Sequence, residues 1–408
     1  VSGALGIKVD PKQKSLVTED GRIFVEGDLI TLDGTTGEVL EGQVPLVSVG
    51  LMDSFYTLMK WSDEYRDIGI RVNADTPQDA GVASKFGIEG IGLCRTEHMF
   101  FAEERLTVLR EAIFAHSSLD RATALERILP MQRKDFSALF KIMAPLPVCL
   151  RLFDPPLHEF LPNSRAGVQQ LAEAMNLTLK EVQERIEGLS EFNPMLGMRG
   201  VRLGIIVPEI YEMQARAIFE AVIDISISSK QNIVPEIMIP LVSAKREVEL
   251  VKSSIDSVAK QVSEESGCSI DYKLGVMVET PRAALRAGEI SRDVTFFSFG
   301  TNDMTQMTYG LSRDDAGRFM SNYVSQGVFE EDPFHILDRD GVGELLSLAC
   351  ERGRETNKNL TLSVCGEHGG DPESIEFCRA LGMDYVSCSP YRVPVAKLAA
   401  AQLAIINK

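Results

Sequence analysis

The sequence predicts an α/β protein built around an eight-stranded parallel barrel of the TIM type, (β/α)8, with helices outside the strands. From about residue 70 to the C-terminus, short apolar runs alternate with longer segments of helical periodicity. The two runs that precede Glu279 and Asp303 are short and apolar, as is typical of strands buried on both faces, and each is followed by an acidic residue. The length of 408 residues exceeds the usual single domain and suits one large barrel preceded by a smaller piece.

Residues 1–44 differ in kind from the rest, because short strand-like runs are separated by Asp-Gly and Gly-Asp turns. So few hairpin residues make a poor independent core, and we interpret them as the end of a β-rich domain that begins upstream. Residues 45–69 carry apolar side chains at helical spacing and predict a helical linker. The strand candidates of this first part are residues 6–10, 21–25, 28–32 and 37–40.

Residues 70–408 form the predicted barrel. Nine strand candidates compete for eight places, so one of them lies outside the barrel, and the sequence does not indicate which. They are residues 70–74, 88–93, 147–152, 198–203, 236–241, 273–278, 295–299, 362–365 and 384–388. The main helical segments between them are residues 103–140, 171–189, 244–262 and 343–355.

The ends of the predicted strands carry the candidate site, because catalytic groups of such barrels gather at the C-terminal ends of strands. Glu279 and Asp303 follow neighbouring strands, and two carboxylates suit Mg²⁺, which takes further oxygen ligands from an anionic substrate. Guanidinium groups match phosphate and carboxylate geometry, and a thiol beside them is a candidate acid. The strand ends supply Arg95, Arg151 with Asp154, Arg199, Glu279, Thr301, Asn302, Asp303 and Cys365.

Each of these side chains has a structural alternative. A strand-end arginine is commonly an ion-pair partner, and Glu279 and Asp303 are also suited to capping loops. Cys365 is of a type usually found as a small buried residue. His98 and His368 near the site fit a hydrogen-bonded scaffold as well as a chemical role.

Composition narrows the class of partner and compartment. A formal net charge of −17 argues against a general nucleic-acid surface. Any phosphate site must then be made locally positive by arginines and a metal. The seven scattered cysteines without a Cys-x-x-Cys pair predict reduced thiols inside the cell, in cytoplasm or an organelle such as a plastid. The sequence has no apolar run of membrane-spanning length, and because it begins at Val1 we expect a fragment of a longer chain.

Five ordered motifs resemble those of the phosphoenolpyruvate-utilising enzymes and together cover the chain from about residue 69 onward. Gly-Thr-Asn-Asp alone is a weak signal, whereas the ordered set is specific. The motifs are Gly-Ile-Gly-Leu-Cys-Arg-Thr-Glu-His-Met-Phe-Phe at 90–101, Arg-Leu-Phe-Asp-Pro-Pro-Leu-His-Glu-Phe-Leu-Pro at 151–162, Asn-Pro-Met-Leu-Gly-Met-Arg-Gly at 193–200, Gly-Thr-Asn-Asp-Met-Thr-Gln-Met-Thr-Tyr-Gly at 300–310 and Cys-Gly-Glu-His-Gly-Gly at 365–370.

The resemblance implies a barrel that binds phosphoenolpyruvate or pyruvate and exchanges the phosphoryl group with a histidine through a pyruvate enolate. It implies Mg²⁺ held by Glu279 and Asp303, and Cys365 as the acid that protonates the enolate carbon. The implied catalytic residues are Cys365, Arg95 and Arg151, and the implied substrate-binding residues are Arg95, Arg151, Arg199, Gly300, Thr301, Asn302 and Asp303.

The resemblance also implies partners. Residues 1–44 are similar to the end of a swivelling phosphohistidine domain of the same parent chain, upstream of which the family carries an ATP-binding domain, and the barrel is expected to form a homodimer. No Thr-Ser-His-type stretch with the accepting histidine occurs in this sequence, so we expect only ligand binding and partial activity from the chain alone.

Several alternatives stay open. The motifs at 154–162 and 366–370 favour the branch that couples phosphoenolpyruvate to ATP and phosphate, while phosphoenolpyruvate synthase and enzyme I-like phosphotransferases share the barrel logic. Outside the family, the same site suits a Mg²⁺-dependent aldolase or lyase acting on a pyruvate enolate. A non-catalytic assembly module is the third class.

Overall fold

The computed structural model describes residues 7–11, 13–18, 20–32, 38–45, 53–115, 117–162, 164–175, 177–191 and 193–406. The first part is β structure, as predicted. Strands β1, β2 and β3 form an antiparallel sheet, and β4 and β5 form an antiparallel pair. Sequence reasoning missed β2. The strands are β1 (Ile7–Asp10), β2 (Ser15–Thr18), β3 (Ile23–Val25), β4 (Ile30–Leu32) and β5 (Val39–Glu41).

Eight parallel strands close into a barrel in the order of the chain, so each strand pairs with its sequence neighbours and the last pairs with the first. The predicted TIM-type architecture is confirmed. Because all strands run the same way, their C-terminal ends open at one mouth. The strands are β6 (Gly69–Asn73), β7 (Ile91–Arg95), β8 (Val148–Arg151), β9 (Glu236–Ile239), β10 (Lys273–Val278), β11 (Phe296–Phe299), β12 (Thr361–Val364) and β13 (Tyr385–Cys388).

The candidate strand at residues 198–203 is wrong, and it is the one that lies outside the barrel. Gly200 adopts φ +57°, a left-handed conformation that breaks an extended run and favours glycine. Its N–H donates to the carbonyl of Asp154, and the N–H of Val201 donates to the carbonyl of Pro240, which tie the turn to the ends of two strands. The segment that follows is therefore a short, partly buried helix, Val201–Ile206.

Helices surround the barrel. The predicted linker contains one helix, the segment at 103–140 is two helices, and the segment at 171–189 falls on two helices separated near residue 177. The helices are α1 (Asp53–Tyr65), α2 (Pro77–Ser84), α3 (Glu103–Phe114), α4 (Ser118–Met143), α5 (Arg165–Met175), α6 (Leu179–Leu189), α7 (Val201–Ile206), α8 (Pro208–Ser229), α9 (Lys245–Ser266), α10 (Pro281–Leu285), α11 (Ala287–Ile290), α12 (Thr301–Tyr309), α13 (Arg313–Ala316), α14 (Met320–Ser325), α15 (Val342–Thr356), α16 (Pro372–Ala380) and α17 (Val393–Ile406).

Two apolar layers result from the alternation of side chains along each strand. In β10, Val276 and Val278 point outward and join the large core between strands and helices, whereas Met277 points inward. The inner layer consists of Leu93, Cys149, Met238, Met277, Phe296 and Cys365. These side chains fill the barrel interior beneath its mouth, so the polar groups at the strand ends lie directly above an apolar layer.

The helix of the predicted linker is fixed to the barrel by a buried lysine. Lys397 on α17 is fully buried, and its Nζ donates to Asp63 of α1 over 2.9 Å and to the carbonyl of Gly87 over 2.7 Å. A buried ammonium group is tolerated only with such partners, so these contacts hold α1 against α17. Among the described residues, no helix combines the length and apolarity that crossing a membrane requires.

Candidate active site

A cavity of about 310 Å³ opens at the mouth of the barrel, and eight of the nine predicted site residues line it. Thr301 is the exception. Its side chain is fully buried and its hydroxyl lies 2.7 Å from Nδ1 of His368. The structure thus brings the predicted residues together from six separate stretches of sequence. The eight are Arg95, Arg151, Arg199, Glu279, Gly300, Asn302, Asp303 and Cys365.

The three arginines reach the cavity in different ways. Arg95 and Arg151 are the last residues of β7 and β8, as predicted. Arg199 lies in the short turn before α7, within the long connection between β8 and β9, and not at a strand end. The prediction of three successive strand ends is therefore wrong for Arg199, although the turn still delivers its side chain to the same mouth.

Asp154 joins two of the arginines. Its Oδ2 accepts from Nη2 of Arg199 over 2.6 Å and pairs with Nη1 of Arg151 over 3.0 Å. Burial favours the protonated carboxyl, but the two guanidinium groups outweigh it and hold the pKa of Asp154 below its usual range. Arg151 also pairs with Glu97, and Arg199 pairs with Oδ1 of Asp303 over 3.1 Å. The arginines are thus held in fixed positions before any ligand arrives.

Carboxylates outnumber arginines around the cavity. Arg95, Arg151 and Arg199 face the acidic side chains of Glu97, Asp154, Glu159, Glu279 and Asp303. The arginines alone therefore do not make the site positive, and the prediction that a metal adds to their charge stays a prediction. With all five carboxyls ionised the lining would be net negative, so an anionic ligand would need a cation to enter with it.

Glu279 shows the shortage of positive charge around the cavity most clearly. It is only 1% exposed, and its Oε1 accepts the N–H of Leu241 over 2.7 Å. Burial, together with the negative charges of Asp303 and Asp154, raises its pKa well above its usual range. The ionised form of this carboxyl requires a nearby cation, and the arginines do not supply enough positive charge.

The donors around Glu279 suit a hard divalent cation. Glu279 and Asp303 offer carboxylate oxygens, and Oδ1 of Asn302 is buried without a hydrogen-bond partner. Gly300 leaves room beside them, since a Cβ there would lie 2.5 Å from Oε2 of Glu279. Among the residues that the structure describes, no group of three or more His, Cys, Asp or Glu side chains could hold a metal by itself. The chain therefore offers a partial set of oxygen ligands.

Cys365 follows β12 and lies at the cavity floor, 2% exposed. Its Sγ is 3.6 Å from the carbonyl oxygen of Phe299, to which the thiol donates. Burial raises the pKa of the Cys365 thiol to about 11, so it keeps its proton at neutral pH. Asn73 donates to the carbonyl of Cys365 over 3.0 Å and fixes the backbone there. A protonated thiol facing a small cavity is a ready proton donor.

Sequence reasoning missed Asp75, and it noted His98 only as a possible scaffold. Oδ2 of Asp75 lies 2.9 Å from Nδ1 of His98 and 3.2 Å from Nη1 of Arg95. Asp75 comes shortly after β6, so a reading of that strand end was the available signal. His368 is fully buried between Thr301 and the carbonyl of Pro333, which agrees with a scaffold role.

Comparison with known proteins gives the class of this barrel. Residues 51–405 match the family model described as "PEP-utilising enzyme, PEP-binding domain". The match covers most of the chain, and the chain belongs to this family.

The curated relatives it matches are more particular, because they carry the name pyruvate, phosphate dikinase. A protein of Rhizobium meliloti is 53% identical over 99% of this chain and 45% of its own length. One from Clostridium symbiosum is 48% identical over 100% of this chain and 47% of its own length. A chloroplastic one from Mesembryanthemum crystallinum is 50% identical over 99% and 43%, respectively. The chain thus spans less than half the length of these relatives.

Among solved structures, a pyruvate kinase from Cryptosporidium parvum aligns with 88% of this chain and 71% of its own, at 9% identity and a TM-score of 0.42. At this TM-score and identity, the alignment says nothing about the function of this chain.

Proposed function

We propose that this chain is the phosphoenolpyruvate- and pyruvate-binding catalytic part of a pyruvate, phosphate dikinase. In this proposal it transfers a phosphoryl group reversibly between phosphoenolpyruvate and a histidine elsewhere in the same parent chain. The carrying observation is that three arginines, a carboxylate pair and a protonated thiol line one small cavity. The names and identities of the relatives support the particular activity.

Phosphoryl transfer is the first step. The ester P–O bond of phosphoenolpyruvate breaks, its electron pair stays on the enolate oxygen, and the phosphoryl group passes to a nitrogen of the accepting histidine. Arg95, Arg151 and Arg199 stabilise the charge that redistributes between the phosphoryl and enolate oxygens. Pairing with Asp154 and Glu97 keeps two of these arginines in place, so little reorganisation is needed during the reaction.

Protonation of the enolate is the second step. The Cys365 thiol donates its proton to the methylene carbon and the enolate becomes pyruvate, after which the thiolate regains a proton from solvent. In the reverse direction the thiolate removes a methyl proton from pyruvate. The high pKa of the thiol matches this task, because the conjugate base is then strong enough to take a proton from carbon.

Glu279 and Asp303 would hold a magnesium ion, with Oδ1 of Asn302 beside them. When bound, such an ion supplies positive charge against the substrate oxygens. Asn302, Gly300 and the backbone at the start of α12 would orient the substrate carboxylate. Thr301 would act indirectly, by fixing that backbone through its contact with His368.

We further propose the organisation of the parent protein. Residues 1–44 end a phosphohistidine domain, residues 45–69 are a helical linker and residues 70–408 are the barrel. The accepting histidine and an ATP-binding part belong to other segments of the parent, which forms a homodimer through its barrels and has no nucleic-acid partner. An intracellular compartment, cytoplasm or plastid, accords with seven cysteines that form no disulfide.

The test uses the full-length chain that carries this sequence, incubated with Mg²⁺ and phosphoenolpyruvate labelled in the phosphoryl group. We expect pyruvate and one acid-labile phosphohistidine per site, and dephosphorylation by AMP with pyrophosphate. Dephosphorylation by AMP with phosphate would favour phosphoenolpyruvate synthase, and transfer to a carrier protein would favour an enzyme I-like phosphotransferase. Carbon–carbon cleavage without phosphohistidine would contradict the proposal.

A further inference from the structure

Asp75 makes a set of contacts around Arg95 that the proposed chemistry does not yet use. Oδ1 of Asp75 accepts the backbone N–H of Arg95 over 2.7 Å, and Oδ2 pairs with Nη1 of the same residue over 3.2 Å. The carboxylate therefore holds Arg95 at both its backbone and its guanidinium group. The Asp75 side chain is only 13% exposed, so the pair is partly shielded from solvent.

Arg95 needs such a restraint because it lies on the boundary between two cavities. It lines the active-site cavity of about 310 Å³ and also a second cavity of about 640 Å³. The second cavity lies over the ends of β12 and β13 and includes Arg313 and Arg392. A long guanidinium side chain that is 29% exposed and borders two open spaces has several rotamers available to it.

We propose that Asp75 is the positioning residue for Arg95, fixing its guanidinium group in one position at the edge of the active-site cavity, where it can contact the substrate phosphoryl group. The inference rests on the proposed function, since it assigns Arg95 to the phosphoryl group. Asp75 itself does not line either cavity. Its effect on the reaction therefore passes through Arg95.

His98 completes the arrangement from the other side of the carboxylate. Its Nδ1 lies 2.9 Å from Oδ2 of Asp75, the oxygen that also contacts Arg95. Burial by itself favours protonation of Asp75, yet its pKa lies below the usual range because of the contacts from His98 and Arg95. The hydrogen bond to Asp75 in turn raises the pKa of His98. Asp75 thus stays ionised and available to the guanidinium group.

Asp75→Asn removes the restraint on the Arg95 guanidinium group, together with the charge that faces His98. The amide oxygen still accepts the backbone N–H of Arg95, but the amide nitrogen does not accept from the guanidinium group. The matched control is Asp135→Asn, which removes another partly buried partner of an arginine, Arg105, away from both cavities. Both variants are made in the full-length chain, and their unfolding free energies are compared first, to show that any loss of stability is similar.

The decisive readout is the rate of phosphohistidine formation at saturating phosphoenolpyruvate, for each variant alone and combined with Arg95→Ala. We expect Asp75→Asn to slow transfer about threefold to tenfold, the range for freeing one long side chain, and Asp135→Asn to leave it unchanged. In the Arg95→Ala background, Asp75→Asn should cost less than about twofold, because two residues that act as a unit are non-additive.

The outcomes separate the two claims. If Arg95→Ala does not slow transfer, the role of Arg95 in the proposed function is wrong. If Arg95→Ala slows transfer but Asp75→Asn does not, the positioning role alone is overturned. The same conclusion follows if Asp75→Asn slows transfer equally with and without Arg95, since its effect would then be structural.

Discussion

Two clusters of arginines and carboxylates lie inside the same barrel, and they differ in how their charges are balanced. In the lower cluster, defined by Arg71, Glu236 and Lys273, Nη1 of Arg71 pairs with Glu236 over 2.6 Å and Lys273 reaches the same carboxylate over 3.5 Å. The guanidinium group of Arg71 also lies 3.9 Å from the ring centre of Tyr385. Its one carboxylate thus has cationic partners on both oxygens.

The mouth cluster uses the same residue types with the opposite balance. It consists of Arg151, Arg199, Asp154, Glu279 and Asp303. Its carboxylates exceed its arginines, the pKa of Glu279 is raised well above its usual range, and an open cavity adjoins it. A buried cluster with its charges paired is tolerated inside a barrel, whereas one with unmet charge beside a cavity is suited to bind a ligand. The two clusters therefore differ in whether a carboxylate lacks a cationic partner.

The largest expected difference comes from removing one arginine of each cluster. Arg151→Met leaves Glu97 and Asp154 short of a buried partner and should lower the free energy of unfolding by about 3–5 kcal/mol. It should also slow phosphohistidine formation by about 100-fold or more, since it removes charge next to the reacting oxygens. Arg71→Met should lower stability by a similar amount.

Urea unfolding and single-turnover transfer in the full-length chain check both variants. The comparison predicts that folded Arg71→Met transfers phosphoryl groups within about twofold of the wild type. A loss of transfer as large as that of Arg151→Met would remove the distinction between the clusters.

Removing the thiol separates binding from proton transfer. Cys365→Ala should slow exchange of the pyruvate methyl protons with solvent deuterium by about 100-fold to 10,000-fold, the usual contribution of a positioned acid or base. Phosphoenolpyruvate affinity should change little, because the anion is held by other groups. NMR of pyruvate in deuterated buffer measures the exchange, and Cys388→Ala, which borders the second cavity, is the control. Unchanged exchange in Cys365→Ala would exclude this thiol as the proton donor.

The raised pKa of the Cys365 thiol predicts that the free energy of unfolding depends on pH. In the unfolded chain the thiol ionises at its ordinary pKa of 9.0, whereas in the folded chain burial raises its pKa to about 11. Between these values the folded state holds the extra proton, so the free energy of unfolding decreases as pH rises from 9 to 11. The decrease should be smaller in Cys365→Ala, measured by urea unfolding across that range. Equal slopes would mean that the thiol is not shifted.

The smallest effect is expected from the solvent-facing member of the lower cluster. The Lys273 side chain is 54% exposed, and its Nζ lies 3.5 Å from Glu236, which keeps Arg71 as its main partner. Lys273→Met should therefore change the free energy of unfolding by less than about 1 kcal/mol. Thermal or urea unfolding checks this value, and a loss of several kcal/mol would show that the lower cluster depends on its lysine.

The sequence predicted the barrel well because its strands are short, mostly apolar runs that alternate with helical segments, and such runs indicate burial. The false strand at residues 198–203 fails because its short apolar part, which begins at Val201, suits the start of a partly buried helix as well as a strand. Only the left-handed turn at Gly200 distinguishes the two, and its φ value depends on hydrogen bonds to Asp154 and to the end of β9. Local pattern does not encode those long-range contacts.

The candidate site was predictable where a residue ends a strand, as with Arg95, Arg151 and Cys365. Site residues were harder to predict where one side chain acts by positioning a second side chain. Asp75 looks like an ordinary loop residue in the sequence, and its contacts with Arg95 and His98 appear only when β6 and β7 lie side by side. The excess of carboxylates was also hidden, because Glu97 and Glu159 become part of the lining only through folding.

The most direct test of the charge-balance account is calorimetric titration with phosphoenolpyruvate, with and without Mg²⁺, on the wild type, Glu279→Ala and Arg71→Met. The account predicts binding that requires Mg²⁺, is lost in Glu279→Ala and is retained in Arg71→Met. Equally tight binding without Mg²⁺, or Mg²⁺-dependent binding that survives in Glu279→Ala, would contradict the claim that the unmet charge at the barrel mouth is what recruits cation and substrate together.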